Sequence, residues 1–549
     1  MPTIELDKRL LLEHAGRKLP DATLRERIPM IGTFLEGVDQ KRVRVEVFVN
    51  RPDMLSEEGF GRSLSSFLGI RTGLCEYRAL KSSYECIVDP SVKSTDRPLT
   101  ALAVLKGLRF DATSLESAIQ LQEKLAVTHG RKRKKAGMGI YDMSSLSWPL
   151  KYTTVPRTAR FTPMDLGREV TVGEALKQSQ KGREYGHLVE RFERLPAFTD
   201  ATGKILSVLP VTQDASTIVS TKTRDMMVEV SGNDWGTVSK MLNILAANWS
   251  ERGATIHSVM VRQAGKTLLT PELKTELFRL DVDYCNKLLG LGLSPTEITR
   301  LLARMGHKAV ANGKRLDVTV PCYRTDILHP IDLVEEVAIA YGYENFVPAP
   351  LESHGSGTLS RQSSLERKLA ALCTGMGFQE VITLHLSNRK TLLDGVLLPP
   401  TRLVETLNSV NSEYDVCRNA LTPVLLHLLS ENKHHEYPQR VFEIGEVFHP
   451  RDPVHEEVRL ALVSAHKNAG FSEARSAAEA LLLSLGLAPS AKAFSHPTFT
   501  AGRCAKLYAN DAEVGILGEV HPKVLNNFEL EMPITCIEIS AERLLRLVG

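Results

Sequence analysis

The stretch from Pro330 to Ala340 reads as a helix with one acidic and one apolar face, so it has to lie at the surface of a packed domain. Asp332, Glu335 and Glu336 stand at positions i, i+3 and i+4, and they therefore share one face. The other face is apolar and is expected to be buried: Leu333, Val334, Val337, Ala338 and Tyr341. The pattern predicts a helix that packs on a core with its carboxylates outward.

A fourth carboxylate, Asp326, lies one short loop before this helix and can fold back to the same face. Clustered carboxylates repel one another and hold protons unless a cation screens them. Oxygen ligands suit Mg²⁺, which often takes one or two carboxylates and keeps several waters. We predict a Mg²⁺ site formed by Asp326, Asp332, Glu335 and Glu336. The alternative is that acids in a first helical turn complement the helix dipole without any metal.

The length and composition bound the rest of the chain. A chain of 549 residues holds about three to five domains. The net charge of +3 provides no global field for a polyanion, so any nucleic-acid contact comes from local patches or from a partner. The 8 cysteines contain no CxxC pair, which argues against a zinc ribbon and for reduced thiols in a cytoplasmic protein. No signal-peptide core and no apolar run long enough to span a membrane occurs.

Composition shifts divide the chain into five parts and predict a multidomain α+β protein. Residues 1–90 form an N-terminal α+β domain, and residues 91–270 mix strands and helices. Residues 271–347 form a compact unit, which a Pro/Gly/Ser-containing linker at 348–357 separates from the last domain. In that domain, residues 358–549, few of the strand spacings suit βαβ crossovers, so we predict an antiparallel sheet.

Local signals place several elements within these parts. Ser294 and Glu297 form a capping box that starts a helix, and Gly306 ends it. Further elements are predicted from periodicity: helices near 115–127, 234–248 and 365–376, and strands at 218–221, 226–230, 316–321, 440–448, 460–463 and 534–539.

The densest positive run is Gly130–Lys135. Its basic side chains can hold phosphates through counterion release, but the run also fits a solvated loop or a nuclear-localisation signal. His434 and His435 lack a metal partner at helical spacing, so we predict that they lie in a loop at the surface or at an interface and do not bind zinc. Neither a glycine-rich phosphate loop nor a GxSxG nucleophile elbow occurs.

Six segments of the sequence, taken in their order along the chain, together resemble the beta subunits of phenylalanine–tRNA ligase in the shorter archaeal and eukaryotic form. They cover essentially the whole chain: Asn50–Asp53, Gly130–Lys135, Lys181–Leu188, Tyr323–Glu336, Asn432–Arg440 and Gly518–Pro522. The acidic segment and Asn432–Arg440 are the specific ones.

The resemblance implies an α2β2 enzyme that attaches L-phenylalanine to tRNA(Phe) with ATP and Mg²⁺, and whose alpha subunit carries the aminoacylation site. It implies that residues 91–270 form a B3/B4 domain that hydrolyses tyrosine mischarged onto the tRNA, and that residues 271–347 form a B5 domain with a DNA-binding-like fold. Residues 358–549 then correspond to a class II synthetase core without catalysis. The family's Mg²⁺ ligands map onto Asp326, Asp332, Glu335 and Glu336.

The residues support an inactive core. Class II adenylation needs one arginine on the α-phosphate and another near the C-terminus, because ATP carries a large negative charge. Arg418 stands where the first could be, and the stretch Gly515–Pro522 lacks the second. We therefore predict that this chain alone does not activate an amino acid.

One departure concerns editing. Where archaeal-type editing domains have a Pro-Pro-Ile-Ile-Asn-Ser-like segment, this chain has Leu209–Ser216, with Gln213 in place of the asparagine. Glu184 still fits the family pattern. Because editing discriminates through hydrogen bonds to the tyrosine hydroxyl, the longer Gln213 predicts altered or weakened editing.

Two other functions compete with the family interpretation. One is a non-catalytic RNA-binding or assembly protein of the same descent that has lost editing. The other is a Mg²⁺-dependent hydrolase that uses the carboxylates of residues 326–336, and such a site needs an open metal position for water.

Overall fold

The computed structural model describes residues 2–263, 265–350 and 355–548. The chain divides into two compact units, Met1–Ala349 and Pro350–Gly549. Their boundary falls inside the predicted linker, of which residues 351–354 lie outside the described part, and the division into five parts stays a prediction. Both units combine helices with sheets, so the α+β class is confirmed. Within the described ranges, no helix is long and apolar enough to cross a membrane.

The first unit begins with a small antiparallel sheet in the order β1-β3-β2, covered by three helices. The Ser56 hydroxyl oxygen caps the third of these helices and accepts a hydrogen bond from the backbone N–H of Gly59 at 3.4 Å. The elements of this part are β1 (Thr3–Asp7), α1 (Lys8–Ala15), α2 (Asp21–Met30), β2 (Thr33–Val38), β3 (Arg42–Val47) and α3 (Glu57–Phe67).

An 11-stranded sheet follows in the order β13-β12-β11-β8-β5-β15-β6-β14-β7, with β4 and β16 also paired to β15. Its strands are β4 (Ala79–Leu80), β5 (Glu85–Val88), β6 (Leu99–Lys106), β7 (Ala136–Asp142), β8 (Leu150–Pro156), β11 (Arg194–Thr199), β12 (Ile205–Val208), β13 (Thr212–Gln213), β14 (Met226–Gly232), β15 (Thr255–Gln263) and β16 (Lys266–Thr270). Beside it lie β9 (Arg160–Phe161), β10 (Val170–Thr171) and four helices: α4 (Ala112–Val127), α5 (Val172–Gln178), α6 (Gln180–Tyr185) and α7 (Trp235–Ser250).

One predicted strand is wrong. Residues 218–221 do not pair, because Asp214 turns the chain into a short 3-10 helix, Ala215–Thr217, just before them. The Asp214 carboxylate accepts hydrogen bonds from the backbone N–H and the hydroxyl of Ser216. The helices predicted near 115–127 and 234–248 and the strand at 226–230 are confirmed as α4, α7 and β14.

The last part of the first unit is a three-stranded sheet, β17-β19-β18, with three helices. The predicted capping box of Ser294 and Glu297 is confirmed, and Gly306 follows the helix with φ 81°. The elements are β17 (Glu276–Asp281), α8 (Val282–Leu289), α9 (Pro295–Arg304), β18 (Lys308–Asn312), β19 (Arg315–Val320) and α10 (Pro330–Tyr341).

This last part is bonded directly to the N-terminal part. The Arg304 Nη2 donates to the Phe67 carbonyl at 2.7 Å, and the Gly73 backbone N–H donates to the Ala303 carbonyl at 2.7 Å. The Thr325 hydroxyl donates to a third carbonyl, that of Asn50, at 3.2 Å. Segments far apart in the sequence therefore share one folded body.

The second unit is built on a seven-stranded sheet, β20-β23-β24-β28-β27-β26-β25, which is antiparallel except where β20 meets β23. The predicted antiparallel domain and its strands at 440–448, 460–463 and 534–539 are confirmed. The strands are β20 (Gln379–Glu380), β21 (Leu386–Ser387), β22 (Val416–Cys417), β23 (Gln439–His449), β24 (His455–Ala465), β25 (Pro489–Ala493), β26 (Phe499–Ala509), β27 (Ala512–Val520) and β28 (Ile534–Ser540). The helices are α11 (Arg361–Gly375), α12 (Thr422–Glu431), α13 (Phe471–Ser484), α14 (Pro522–Asn527) and α15 (Ala541–Leu547).

Candidate functional site

A pocket of ≈ 150 Å³ lies in the first unit between β7, β14, α4 and the segment around Pro210. Its walls are largely apolar, with a small number of polar groups that converge on it, as ligand pockets generally are. The apolar residues include Ile119, Met138, Ile140, Met164, Leu209 and Val219, and the polar ones include Arg133, Lys181, Ser207, Gln213 and Glu229.

Glu229 is the only acid in the strand β14 and is completely buried. Burial raises the pKa of its carboxyl to about 8, so the group is mainly neutral at pH 7. Its Oε1 lies 3.5 Å from the Tyr141 hydroxyl, whereas Oε2 has no hydrogen-bond partner among the described residues. A buried polar atom without a partner at a pocket wall is suited to bind a ligand hydroxyl.

The Tyr141 side chain forms the floor of this pocket. Its hydroxyl donates to the Ser207 hydroxyl oxygen at 2.8 Å. Gly139, directly opposite Glu229 in the ladder, leaves the space that the Tyr141 ring fills, because a Cβ at 139 would lie 2.5 Å from the Tyr141 oxygen. Any larger residue at 139 would displace the ring that contacts Glu229.

The two predicted editing residues occupy different positions. Gln213 ends β13 and lines the pocket, and within the described ranges its side-chain amide has no hydrogen-bond partner. Glu184 does not line the pocket; it is half-exposed and accepts from the Lys181 Nζ at 3.3 Å. A hydrogen bond from Tyr185 holds the pKa of Glu184 below its usual range. Of the two, the structure brings only Gln213 to the pocket wall.

Sequence reasoning did not find Glu229, Tyr141 and Ser207. A signal for Glu229 was present, because a single acid inside an otherwise apolar strand is unusual unless it is paired or functional. Tyr141 and Ser207 carry no such signal, since Tyr141 reaches Glu229 and Ser207 only when β7, β12 and β14 assemble.

The four predicted Mg²⁺ ligands lie around the start of α10, and two of them form ion pairs with Arg324. Its guanidinium donates to both oxygens of Asp326 at 2.8 and 2.7 Å and to both oxygens of Glu336 at 2.8 and 2.9 Å. The His307 Nε2 lies 3.1 Å from the Glu336 Oε2. The expectation that Glu336 faces outward is wrong, because this pairing draws it into the interior, where it is 4% exposed. Arg324 holds the pKa of Glu336 well below its usual range against the effect of burial.

The remaining two carboxylates are more open. The Asp332 Oδ2 accepts from the backbone N–H groups of Leu328 and His329 at 2.8 Å each, which leaves Oδ1 available. Asp332 therefore caps α10. This agrees with the alternative in which the acids of the first helical turn complement the helix dipole without a metal. Glu335 is exposed. Partial burial and then the neighbouring Glu336, Asp326 and Asp332 raise its pKa.

A Mg²⁺ site with all four acids as direct ligands does not fit this arrangement. Within the part of the chain that the structure describes, no three Asp, Glu, His or Cys side chains stand where one ion could take all of them. The donor set does fit an ion held by one or two carboxylates and otherwise by water. An independent hydrolase at this position is disfavoured, because Asp326 and Glu336 are already paired with Arg324.

In the second unit, Arg418 is 1% exposed and bonded internally. Its Nη1 donates to the Glu443 Oε1 at 2.6 Å and to the Thr383 hydroxyl at 2.8 Å. Its Nε donates to the Glu446 carbonyl at 2.8 Å. Gly445 allows this close approach, because a Cβ there would lie 2.3 Å from the guanidinium. The Nε and Nη1 donors of Arg418 are thus already used within the second unit.

Two family models place the chain in the aminoacyl-tRNA synthetase class. The family model for the phenylalanyl-tRNA synthetase beta chain CLM domain matches residues 349–541, and that for the tRNA synthetase B5 domain matches residues 278–343. The chain belongs to the phenylalanine–tRNA ligase beta subunit family.

Named relatives and one solved structure support this assignment. The beta subunit from Archaeoglobus fulgidus is 37% identical over 94% of each chain. The one from Methanocaldococcus jannaschii is 35% identical over 99% of this chain and 100% of its own. An N-terminal fragment of the Pyrococcus horikoshii beta subunit superposes with a TM-score of 0.60 at 34% identity, covering 62% of this chain and 99% of the fragment.

Proposed function

We propose that this chain is the beta subunit of a cytoplasmic α2β2 phenylalanyl-tRNA synthetase, in which an alpha partner attaches L-phenylalanine to tRNA(Phe) with ATP and Mg²⁺. The similarity over 94% of the chain carries this proposal. Co-expression with a class II alpha subunit tests it. A complex whose mass equals two of each chain, and which charges tRNA(Phe), is the expected result; a monomeric chain that ignores tRNA would contradict it.

The pocket around Glu229 is the proposed editing site for Tyr-tRNA(Phe). The neutral Glu229 carboxyl exchanges a hydrogen bond with the tyrosine hydroxyl, and its buried, unpartnered Oε2 supports this role. A phenylalanine ester would leave that oxygen unsatisfied, which is how such a site rejects an analogue lacking the hydroxyl. Gln213 contacts the substrate from the wall, while Glu184 orients Lys181 at the rim. Altered editing through Gln213 stays a hypothesis, tested by the rate of Tyr-tRNA(Phe) deacylation by the holoenzyme.

The acids around α10 are the proposed Mg²⁺ site of this chain. Asp332 and Glu335 would bind the ion directly through carboxylate oxygens that are not otherwise engaged. Asp326 and Glu336 would contact the ion through water while they keep their hydrogen bonds to Arg324. The ion would supply charge neutralisation between the start of α10 and the loop before it.

Millimolar Mg²⁺ is expected to raise the unfolding temperature of the chain by a few °C in a thermal scan, because an ion that binds only the folded state stabilises it. The variant Asp332→Asn/Glu335→Gln should lose this response. Asp511→Asn/Glu531→Gln removes the same charge from exposed acids of the other unit and should keep it. An unchanged Mg²⁺ response in the first variant would count against the site.

The isolated chain is expected to show no phenylalanine-dependent ATP–pyrophosphate exchange. Arg418, the arginine available for an α-phosphate, is buried and hydrogen-bonded to Glu443 and Thr383. If Arg418 left these partners to bind ATP, the buried Glu443 carboxylate would lose its cation. The reconstituted complex serves as the positive control in the same assay. Measurable exchange by the beta chain alone would refute the prediction.

A further inference from the structure

The basic run Gly130–Lys135 forms a turn with unusual backbone geometry, and this turn is called the basic turn below. Arg131, Lys132 and Arg133 adopt φ values of 50°, 52° and 63° in succession. Residues with side chains rarely enter this region, and three in a row need strong surrounding support. The Lys132 and Arg133 backbone N–H groups donate to the carbonyls of Val127 and Ala126 at the end of α4.

Two arginines hold the basic turn against the pocket. The buried Arg97 donates through Nη2 to the Arg133 carbonyl and through Nη1 to the Ser231 carbonyl at 3.1 Å, next to Glu229. The Arg133 side chain points inward, where its Nη1 donates to the carbonyls of Pro210 and Val211 at 2.7 and 3.2 Å. These hydrogen bonds fix the basic turn at the edge of the pocket.

Of the other basic side chains of the turn, Arg131, Lys132 and Lys134 are exposed and Lys135 is partly buried. Lys135 pairs with Asp234 at 3.2 Å, and Lys181, across the pocket rim, pairs with Glu123 and Glu184. By contrast, Arg131, Lys132 and Lys134 have no acidic partner within the described ranges. Three positive charges without an acidic partner therefore lie on a hydrogen-bonded turn at the edge of the pocket.

We propose that Arg131, Lys132 and Lys134 bind phosphates of the single-stranded 3′ end of the aminoacyl-tRNA while its terminal ester lies in the pocket of Glu229. This inference rests on the proposed editing function and identifies the surface that receives the RNA. A single-stranded backbone binds through positive charge along its path to the site, and the exposed side chains of the turn supply such charge without base contacts. Fixing the charges on a strained, bonded turn lowers the entropy lost when the strand binds.

The test measures deacylation by the holoenzyme with two substrates, Tyr-tRNA(Phe) and 3′-O-tyrosyl-adenosine, which carries no phosphate. The variant Arg131→Gln/Lys132→Gln/Lys134→Gln is expected to raise KM for Tyr-tRNA(Phe) about tenfold at low salt and to leave kcat unchanged. The slope of log KM against log salt concentration should fall by about 2, since each single-strand phosphate contact contributes ~0.7. Kinetics with 3′-O-tyrosyl-adenosine should not change.

A control variant, Arg17→Gln/Lys18→Gln/Lys93→Gln, removes three exposed charges of the same unit away from the pocket and should behave as the wild type. If the basic-turn variant matches this control in KM and salt slope, or loses activity on both substrates equally, the inference is overturned while editing stands. If the wild-type holoenzyme hydrolyses neither substrate, the proposed editing function itself fails, and the inference with it.

Discussion

Replacement of Glu229 by alanine is expected to lower kcat/KM for deacylation of Tyr-tRNA(Phe) by roughly 10- to 100-fold, because the tyrosine hydroxyl then enters the pocket without a hydrogen-bond partner. The measurement is hydrolysis of Tyr-tRNA(Phe) and Phe-tRNA(Phe) by the holoenzyme. Hydrolysis of the phenylalanine ester, which makes no such hydrogen bond, should change little. Glu190→Ala, at an exposed position of the same unit, is the control. If the ratio of the Tyr-tRNA(Phe) and Phe-tRNA(Phe) hydrolysis rates stayed within about twofold of the wild-type ratio, Glu229 would not recognise the tyrosine hydroxyl.

A second variant, Glu229→Gln, separates the hydrogen bond from the charge. The folded-state pKa of Glu229, about 8, lies above its ordinary value of 4.5, so the folded chain retains a proton that the unfolded chain releases. Its contribution to stability is therefore complete below pH 4.5 and is lost as the pH rises toward 8. Glutamine keeps the neutral form at every pH, so its gain over the wild type should grow from pH 5 to pH 8.

Tryptophan fluorescence measures this stability for the first unit alone, because Trp148, Trp235 and Trp249 are its 3 tryptophans and the only ones in the sequence. Urea unfolding at several pH values gives the free energy of unfolding for each variant. A pH dependence in Glu229→Gln that equals the wild type would mean that Glu229 is ionised in the folded chain.

Replacement of Arg324 by alanine is expected to destabilise the first unit by about 3–5 kcal/mol, because Asp326 and Glu336 are left in the interior without a cation. The same fluorescence assay in urea measures the change. Arg279→Ala is the control, since it removes an exposed partner of Asp317 and should cost less than about 1 kcal/mol. A loss at Arg324 no larger than at Arg279 would show that the pair is not desolvated.

The pH dependence of the Arg324 variant has a definite sign. In the wild type the pKa of Glu336 is lowered, so its contribution to stability is present above its ordinary value and is lost as the pH falls. Without Arg324 burial raises that pKa instead, and protonation at pH 5 relieves the unpaired charge. The cost of Arg324→Ala should therefore be smaller at pH 5 than at pH 8, and adding Glu336→Gln should recover part of it.

Local signals were sufficient for many elements of the fold. Ser294, Glu297 and Gly306 fix the ends of α9 through hydrogen bonds within four residues, so the prediction needed no tertiary contact. Asp332 starts α10 in the same way. The strands at 440–448 and 534–539 were visible because their apolar runs are long and belong to a buried sheet.

The sites were less accessible to sequence reasoning because their partners are distant in the chain. Helical spacing placed Glu336 beside Glu335, but Arg324 and His307 decide that it turns inward. Glu229 meets Tyr141 only through the pairing of β14 with β7, Ser207 reaches Tyr141 from a strand paired with neither, and the carboxyl becomes neutral only through burial.

The bonds between the N-terminal part and the region around α9 also bear on synthesis at the ribosome. The carbonyl of Phe67 receives its donors from Arg304, 237 residues later, and Asn50 receives a hydroxyl from Thr325, 275 residues later. A chain emerges N-terminus first, and contacts so distant form slowly. The earliest residues to leave the exit tunnel thus stay without these partners until most of the first unit has been translated, and protection by a chaperone is most valuable during that interval.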